Sequence, residues 1–242
     1  MQTDLCLLRD ELTAAPAAVF PSARLTAGPN WRRLDYLARG NPRQRAAHAL
    51  LNDTPLWGEL QSLCLDVALV STLAIGLDRP GSDLDILCQH SDPAALADLL
   101  AQRQWQSRAL GSDIWLLEQT LIDGEGTPWP IELYVTPARV DTLNGWRHLS
   151  LMAALIEHFG HDFYQTLRTL RLQQGLKGEA AICRLLKLPG DPYQALLTLE
   201  GRDLDQLDWQ PQAQAQAQAQ APSAQPATFS SHPVIRAPCT PS

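Results

Sequence analysis

Residues 70–86 read VSTLAIGLDRPGSDLDI, and this stretch decides the fold class of the chain. It begins at the end of a short apolar run, residues 66–71, which is too short for a helix and is typical of a buried strand. A glycine- and proline-containing turn region follows over residues 76–82. Acidic and apolar residues then alternate over residues 83–88, which predicts a half-buried strand.

Two carboxylates at the start of this second strand are the first candidates for chemistry. In an extended strand Asp83 and Asp85 project to the same face about 7 Å apart, while Leu84 and Ile86 enter the core. Mg²⁺ prefers oxygen ligands and is usually held by one or two carboxylates together with substrate phosphates and water. The pair therefore fits a magnesium site, and a solvated edge strand is the alternative interpretation.

Small and hydroxylated residues precede the acidic pair. Ser71 and Thr72 follow the first strand, Gly76 lies in the connection, and Ser82 directly precedes Asp83. Small residues after a strand let backbone N–H groups approach a phosphate, and a helix that begins there adds its positive end. This order resembles the polymerase-β-like nucleotidyltransferase superfamily, in which Gly-Ser is followed by Asp-x-Asp or Asp-x-Glu and by a third carboxylate on a later strand. Ser71 stands where that superfamily has its first glycine.

Glu132 is the best match for the third carboxylate. It stands between Ile131 and Leu133 in a short strand, so its side chain points away from the core face. Asp123 and Glu125 are weaker candidates because they lie in the turn that precedes this strand.

The resemblance implies a metal-dependent nucleotidyltransferase that uses Mg²⁺ or Mn²⁺ and takes a nucleoside triphosphate (NTP) as substrate. The candidate catalytic and metal-binding residues are then Asp83, Asp85 and Glu132. Arg147 and His148 open a later helix, where a cation either reaches a triphosphate or pairs with an acid. The expected nucleotide contacts are Ser71, Thr72, Gly76, Ser82, Arg147 and His148.

The chain is also similar to a bacterial family of uncharacterised nucleotidyltransferase-like proteins. The segments that carry this likeness are NWRRLDYL (30–37), PGSDLD (80–85), NGWRH (144–148) and GDPY (190–193). The likeness implies the fold and leaves the NTP and the acceptor open.

The order of elements predicts an α+β fold: a small mixed β-sheet core of the nucleotidyltransferase type, with N-terminal helices and a C-terminal helical subdomain. Helical periodicity runs from Asn144 to Leu199, with breaks at Gly160, at Gly175 and near Pro189. The Gln-Ala repeats and the Pro-rich end offer no periodic apolar face. We expect a loosely ordered extension (1–28), the core (29–143), the helical subdomain (144–205) and a disordered tail (206–242).

Composition favours a small-molecule substrate and a cytoplasmic location. The net charge of -7 argues against a general nucleic-acid-binding protein, because such proteins neutralise phosphates with Lys and Arg. The five cysteines include no close pair, which argues against a disulfide framework or a zinc spacing. Charged residues near the N-terminus argue against a signal peptide, and no apolar run reaches the roughly 18 residues of a membrane span. A protein partner stays open.

Other functions compete with the transferase interpretation. In haloacid-dehalogenase-type phosphatases the Asp-x-Asp motif directly follows an apolar strand and continues with Thr or Val, whereas here Gly81-Ser82 precedes it and Ile86-Leu87 follows. Glycosyltransferases also use Asp-x-Asp but lack the upstream hydroxyl and glycine spacing. A catalytically inactive nucleotide-binding or regulatory module of the same fold, such as a toxin-antitoxin-like partner, is the alternative from a different class. Ser71 in place of glycine favours that alternative, whereas the three carboxylates favour the enzyme.

Overall fold

A five-stranded mixed sheet organises the protein. The computed structural model describes residues 30–211, and the spatial order of the strands is β1-β2-β5-β4-β3. Strands β2 and β5 run parallel, and the other neighbouring pairs are antiparallel. The strands are β1 (Asp66–Leu69), β2 (Leu84–Gln89), β3 (Gln106–Ala109), β4 (Trp115–Ile122) and β5 (Pro128–Thr136).

Helices precede the sheet, connect its strands and follow it. Two of them come before β1, one joins β2 to β3, and four follow β5, so the predicted α+β fold class is confirmed. Within residues 30–211, no helix is long and apolar enough to cross a membrane. The helices are α1 (Pro42–Asp53), α2 (Leu56–Leu63), α3 (Pro93–Ala101), α4 (Asn144–Phe159), α5 (His161–Gln174), α6 (Gly178–Leu185) and α7 (Pro192–Leu197).

Buried apolar residues and polar residues alternate along the central strands β2 and β5. Leu84 and Ile86 of β2 are buried, and so are Ile131 and Leu133 of β5. The residues between them face the opposite side of the sheet, because successive side chains of a strand alternate. One face of the sheet therefore packs into the core, and the other face is free to carry polar groups.

The connection from β1 to β2 begins with a short helical turn. A four-residue 3-10 turn, Thr72–Ile75, directly follows Ser71. Gly76 ends that turn with a φ of 70°, and its carbonyl oxygen accepts a hydrogen bond of 2.9 Å from the Tyr164 hydroxyl. A Cβ at Gly76 would lie 2.8 Å from that hydroxyl oxygen. The position therefore requires glycine for both its backbone conformation and the close approach of Tyr164.

Helix α1 holds this connection in place. Gln44, the third residue of the helix, completes a capping box with Asn41 and donates a hydrogen bond of 2.9 Å to the Leu73 carbonyl oxygen. Arg43 forms an ion pair of 2.8 Å with Asp78 and donates a hydrogen bond of 2.9 Å to the Ser82 carbonyl oxygen. The segment that leads into β2 is thus anchored at both of its turns.

The described residues up to Trp209 belong to one compact unit. The expected extension, residues 1–28, lies outside the described residues, as does the expected tail beyond residue 211. Strand β3 had no counterpart in the sequence-based prediction, because all four of its residues are exposed and show no apolar alternation.

Candidate active site

Two carboxylates lie side by side on the polar face of the sheet. Asp85 of β2 pairs in register with Glu132 of β5, and residues that pair directly across parallel strands point to the same face. Asp83 precedes β2 and is exposed. All three side chains line one cleft of about 790 Å³, so the structure brings the three candidate metal-binding residues together.

The pKa values of Asp85 and Glu132 are raised, mainly by burial. Burial is the main reason that the pKa of Asp85 rises from 3.8 to about 7, and the negative charges of Asp83 and Glu132 add to it. The pKa of Glu132 is also raised, first by burial and then by Asp83 and Glu118. Lys177 partly offsets both shifts. Four carboxylates (Asp83, Asp85, Glu132 and Glu179) and three cations (Arg79, Arg171 and Lys177) line the cleft, and a bound cation would offset the remaining negative charge.

Cationic side chains line the same cleft from other elements. Arg171 of α5 is 4% exposed and donates a hydrogen bond of 3.1 Å to the Thr72 hydroxyl, while its buried Nε has no hydrogen-bond partner. Burial lowers the pKa of Arg171. Arg79 donates a hydrogen bond of 2.8 Å to the Gly175 carbonyl oxygen, and Lys177 follows in the same α5–α6 loop. These groups supply positive charge next to the carboxylates.

An aromatic and imidazole pair closes the helical side of the cleft. The Nζ atom of Lys177 lies 5.8 Å from the centroid of the exposed Tyr193 ring, and its interaction with Tyr193 raises the pKa of Lys177. The Nε2 atom of His148 lies 3.0 Å from the Tyr193 carbonyl oxygen, and its Nδ1 lies 3.7 Å from Glu179 Oε1. Both imidazole nitrogens of His148 thus already face protein oxygens.

The predicted nucleotide contacts divide into two groups. Thr72, Ser82 and His148 line the cleft, whereas Ser71, Gly76 and Arg147 are not among its lining residues. The Ser71 hydroxyl is buried and donates a hydrogen bond of 2.9 Å to the Asp83 carbonyl oxygen.

Arg147 is held away from the cleft by two partners. Its guanidinium forms an ion pair with Glu200 and donates a hydrogen bond of 2.9 Å to Asn144 Oδ1. The structure therefore places this residue in the surface ion pair that was the alternative to phosphate binding.

The weaker carboxylate candidates of the β4–β5 turn are placed elsewhere. Asp123 accepts hydrogen bonds from Trp129 Nε1 at 2.9 Å and from the backbone N–H groups of Glu125 and Thr127. These hydrogen bonds lower the pKa of Asp123, and its carboxylate stabilises the turn. The sequence-based prediction omitted four other residues of the cleft: Arg79, Arg171, Glu179 and Tyr193.

The carboxylates fit a metal ion that the substrate helps to bind. Within residues 30–211, no three His, Cys, Asp or Glu residues form a cluster that could hold a metal by themselves. Mg²⁺ commonly binds through one or two carboxylates and completes its shell with substrate phosphates and water. Asp83 and Asp85 fit that requirement, since both carboxylates line the same cleft.

These features define an α+β protein with an acidic cleft lined by buried and loop cations. Residues 49–199 match a family described as "Domain of unknown function (DUF4269)", and this match covers more than half of the chain. The chain therefore belongs to that family. No curated protein matches it significantly.

Three solved structures are similar to part of this chain. One is Cid1 in complex with its short product ApU, at a TM-score of 0.41 and 15% identity over 64% of this chain and 47% of that one. Another is a cytoplasmic RNA terminal U-transferase, with a TM-score of 0.36 and 13% identity, covering 59% of this chain and 46% of that one. A third is the polymerase core of TRAMP, with a TM-score of 0.30 and 16% identity, covering 64% of this chain and 46% of that one. The chain spans about half the length of each of these proteins.

Proposed function

We propose that this protein is a metal-dependent nucleotidyltransferase that moves a nucleoside monophosphate from an NTP to an acceptor and releases pyrophosphate. One observation carries the proposal: Asp83, Asp85 and Glu132 share a single cleft with the guanidinium of Arg171. Phosphoryl chemistry needs carboxylates for metal ions and cations for phosphate oxygens. The cleft supplies both kinds of group.

The triphosphate binds to the cationic side of the cleft in this proposal. Arg171 lines the cleft with a guanidinium whose described hydrogen bond goes to Thr72, and Arg79 and Lys177 add charge from the neighbouring loops. The Thr72 hydroxyl, which already accepts from Arg171, can donate to a phosphate oxygen. The exposed ring of Tyr193 provides a surface on which a nucleobase can stack.

Asp83 and Asp85 are the residues that hold Mg²⁺ or Mn²⁺, which when bound stabilises charge on the phosphate oxygens. In the transfer, the acceptor hydroxyl oxygen forms a bond to the α-phosphorus while the bond from that phosphorus to the bridging oxygen breaks. Glu132 takes the proton of the hydroxyl group, and its raised pKa suits a general base. Arg171 and Lys177 neutralise the departing pyrophosphate.

A nucleotide-binding module without transfer activity is the second candidate. The observation that favours it is the lack, among residues 30–211, of three side chains arranged as a metal-binding cluster. Such a module would bind a nucleotide through the same cations and leave it intact.

Calorimetric titration with each of the four common NTPs, with and without Mg²⁺, tests the proposal, together with an assay of pyrophosphate release. The expected result is Mg²⁺-dependent NTP binding that Asp83→Asn and Asp85→Asn weaken and that Asp98→Asn, an exposed residue of α3, leaves unchanged. Mg²⁺-dependent binding that needs Asp83 and Asp85 supports the enzyme, with pyrophosphate release expected once an acceptor hydroxyl compound is supplied. Binding that does not depend on Mg²⁺ supports the module, and no NTP binding under any condition contradicts both.

A further inference from the structure

A second cavity continues from the candidate active site across the sheet. It measures about 450 Å³ and shares Asp83 and Glu132 with the first cleft. Its other polar lining comes from β3, β4 and the segment before β3. We call this cavity the strand groove and define it by Gln104, Gln106, Glu118, Gln119 and Thr120.

The strand groove begins at the proposed general base because of the strand register. Glu132 of β5 pairs with Glu118 of β4, and Glu118 pairs with Gln106 of β3. Together with Asp85, these residues form one row across a single face of four strands. A molecule in the groove therefore lies next to Glu132 on the side away from the helical part of the first cleft.

The acidic lining of the strand groove favours a positively charged ligand. Among the described residues no lysine or arginine lines it, whereas Glu118 and Glu132 do. Neither carboxylate forms an ion pair within residues 30–211, although Arg108 and Lys177 lower the pKa of Glu132 from a distance. Like charges directly opposite on antiparallel strands are unfavourable. The groove thus disfavours a phosphodiester chain and favours a ligand with positive charge.

Gln104 keeps a side chain in the groove at a conformational cost. Its φ is 68°, and it follows α3 at the position where a helix end usually has glycine. The hydrogen bonds from the Gln104 N–H to the Ala101 carbonyl and from the Trp105 N–H to the Leu100 carbonyl complete that helix end. A residue other than glycine in this region is strained, and observed strain of this kind points to a functional side chain.

We infer that the strand groove is the acceptor site and that the acceptor is a cationic, hydroxyl-bearing small molecule, of which an amino sugar is the model. This inference rests on the proposed function. Glu118 binds the ammonium group, the amides of Gln104 and Gln106 bind hydroxyl groups, and one hydroxyl group lies beside Glu132. The cavity volume is within the range of ordinary small-ligand sites.

The test uses the full chain loaded with Mg²⁺ and a non-hydrolysable ATP analogue. Its probes are the glucosamine dimer, which is cationic, and the N-acetylglucosamine dimer, which is neutral. Calorimetry measures their affinities, and the side-chain amide signals of Gln104 and Gln106 report the position of binding. The variants are Glu118→Gln, Gln104→Gly and the control Glu125→Gln, whose residue lies in the neighbouring turn and does not line the groove.

We expect the cationic dimer to bind more tightly than the neutral one and to shift both amide signals. Glu118→Gln weakens the cationic dimer by about fivefold, the size of one partly exposed ion pair. Gln104→Gly weakens it as well without lowering the melting temperature, since glycine suits that backbone. Glu125→Gln changes neither affinity.

Two negative results have different meanings. If no non-hydrolysable analogue of the four common NTPs binds with Mg²⁺, the proposed function fails; if only another of the four binds, the acceptor test is run with that analogue. If the analogue binds but the cationic dimer does not, or binds no more weakly to Glu118→Gln than to the wild type, only the acceptor inference is overturned.

Discussion

Asp85 and Glu132 are paired in register on the adjacent parallel strands β2 and β5, with their carboxylates on the same face of the sheet. Burial raises the pKa of both carboxyl groups, and the negative charge of Glu132 raises the pKa of Asp85 further. A protein without a ligand gains nothing from this arrangement, because like charges in a partly buried site repel. The pairing therefore costs stability in the free protein and becomes favourable when a cation binds.

Asp85→Asn should raise the stability of the metal-free protein at pH 8. The fold raises the pKa of Asp85 from 3.8 to about 7, so the native state disfavours the charged carboxylate. The stability that the protonated carboxyl group contributes is fully present below pH 3.8 and is lost as the pH rises through 7. Because one pKa unit corresponds to about 1.4 kcal/mol, the gain at pH 8 is at most about 4 kcal/mol.

Denaturant unfolding at pH 8 and pH 4, with a chelator present, measures this effect. The variant and the wild type should converge at pH 4, and Asp98→Asn should match the wild type at both values. Equal stability of Asp85→Asn and the wild type at pH 8 would show that the charge of Asp85 carries no penalty.

Metal affinity should increase with pH. A divalent ion binds the ionised form of Asp85 and displaces its proton. With a pKa of about 7 for Asp85, Mn²⁺ should bind about tenfold more weakly at pH 6 than at pH 8. Calorimetric titration at the two pH values provides the measurement, and Asp85→Asn should abolish the difference. A wild-type affinity that is the same at pH 6 and pH 8 argues against Asp85 as a ligand.

Glu132→Gln should lower catalysis while preserving the fold. The substitution keeps size and hydrogen-bonding capacity and removes the negative charge. Losing one preorganised group commonly costs about 10²–10³ in rate, or roughly 3–4 kcal/mol. Asp83→Asn and Asp85→Asn should be at least as damaging, and the three losses should be far from additive, because the carboxylates act as one unit. Full metal-dependent activity in Glu132→Gln alone would assign the general base to another residue.

Ser71→Ala should destabilise the start of β2. The buried Ser71 hydroxyl donates to the Asp83 carbonyl oxygen at 2.9 Å, and alanine leaves that acceptor without this bond. The expected loss is about 1–3 kcal/mol, with weaker metal binding because Asp83 is no longer held. Ser62→Ala is the control, since Ser62 also donates to a backbone carbonyl but is exposed. A wild-type melting temperature for Ser71→Ala would mean that this bond is dispensable.

The sequence was informative wherever one side of a strand was apolar. The alternation around Asp85 and around Glu132 predicted both strands and the face on which the carboxylates lie, because burial of Leu84, Ile86, Ile131 and Leu133 leaves them no other side. Strand β3 was missed because its residues are exposed on both faces. Its pairing with β4 depends on the hairpin geometry and not on a hydrophobic pattern.

The cations of the cleft were harder to predict because their positions depend on tertiary packing. Arg171 did leave a signal: Phe163, Leu167 and Arg171 follow one another at helical intervals of four on the buried stripe of α5. An arginine at a position where the helical period predicts a buried apolar residue indicates a functional buried charge. The pairing of Arg147 with Glu200, 53 residues away, left no such signal.

Arg171 gives the sharpest test of the phosphate-binding side of the cleft. Its guanidinium is almost fully buried, its one described hydrogen bond goes to the Thr72 hydroxyl, and burial lowers its pKa. A buried charge with so few partners destabilises the free protein, and replacing it with an apolar side chain of similar length is often neutral or stabilising. A triphosphate supplies the missing partner.

Arg171→Met should therefore keep or raise the melting temperature and weaken Mg²⁺-ATP binding at least tenfold, or by about 1.4 kcal/mol. Adenosine affinity should change little, because the nucleoside has no phosphate for the guanidinium to bind. The matched control is Arg168→Met, on the same helix but not among the residues that line the cleft. Thermal unfolding and calorimetry of the two variants separate stability from binding. Unchanged ATP affinity in Arg171→Met, or an equal loss for ATP and adenosine, would contradict a phosphate-binding role and leave Arg171 as a structural residue.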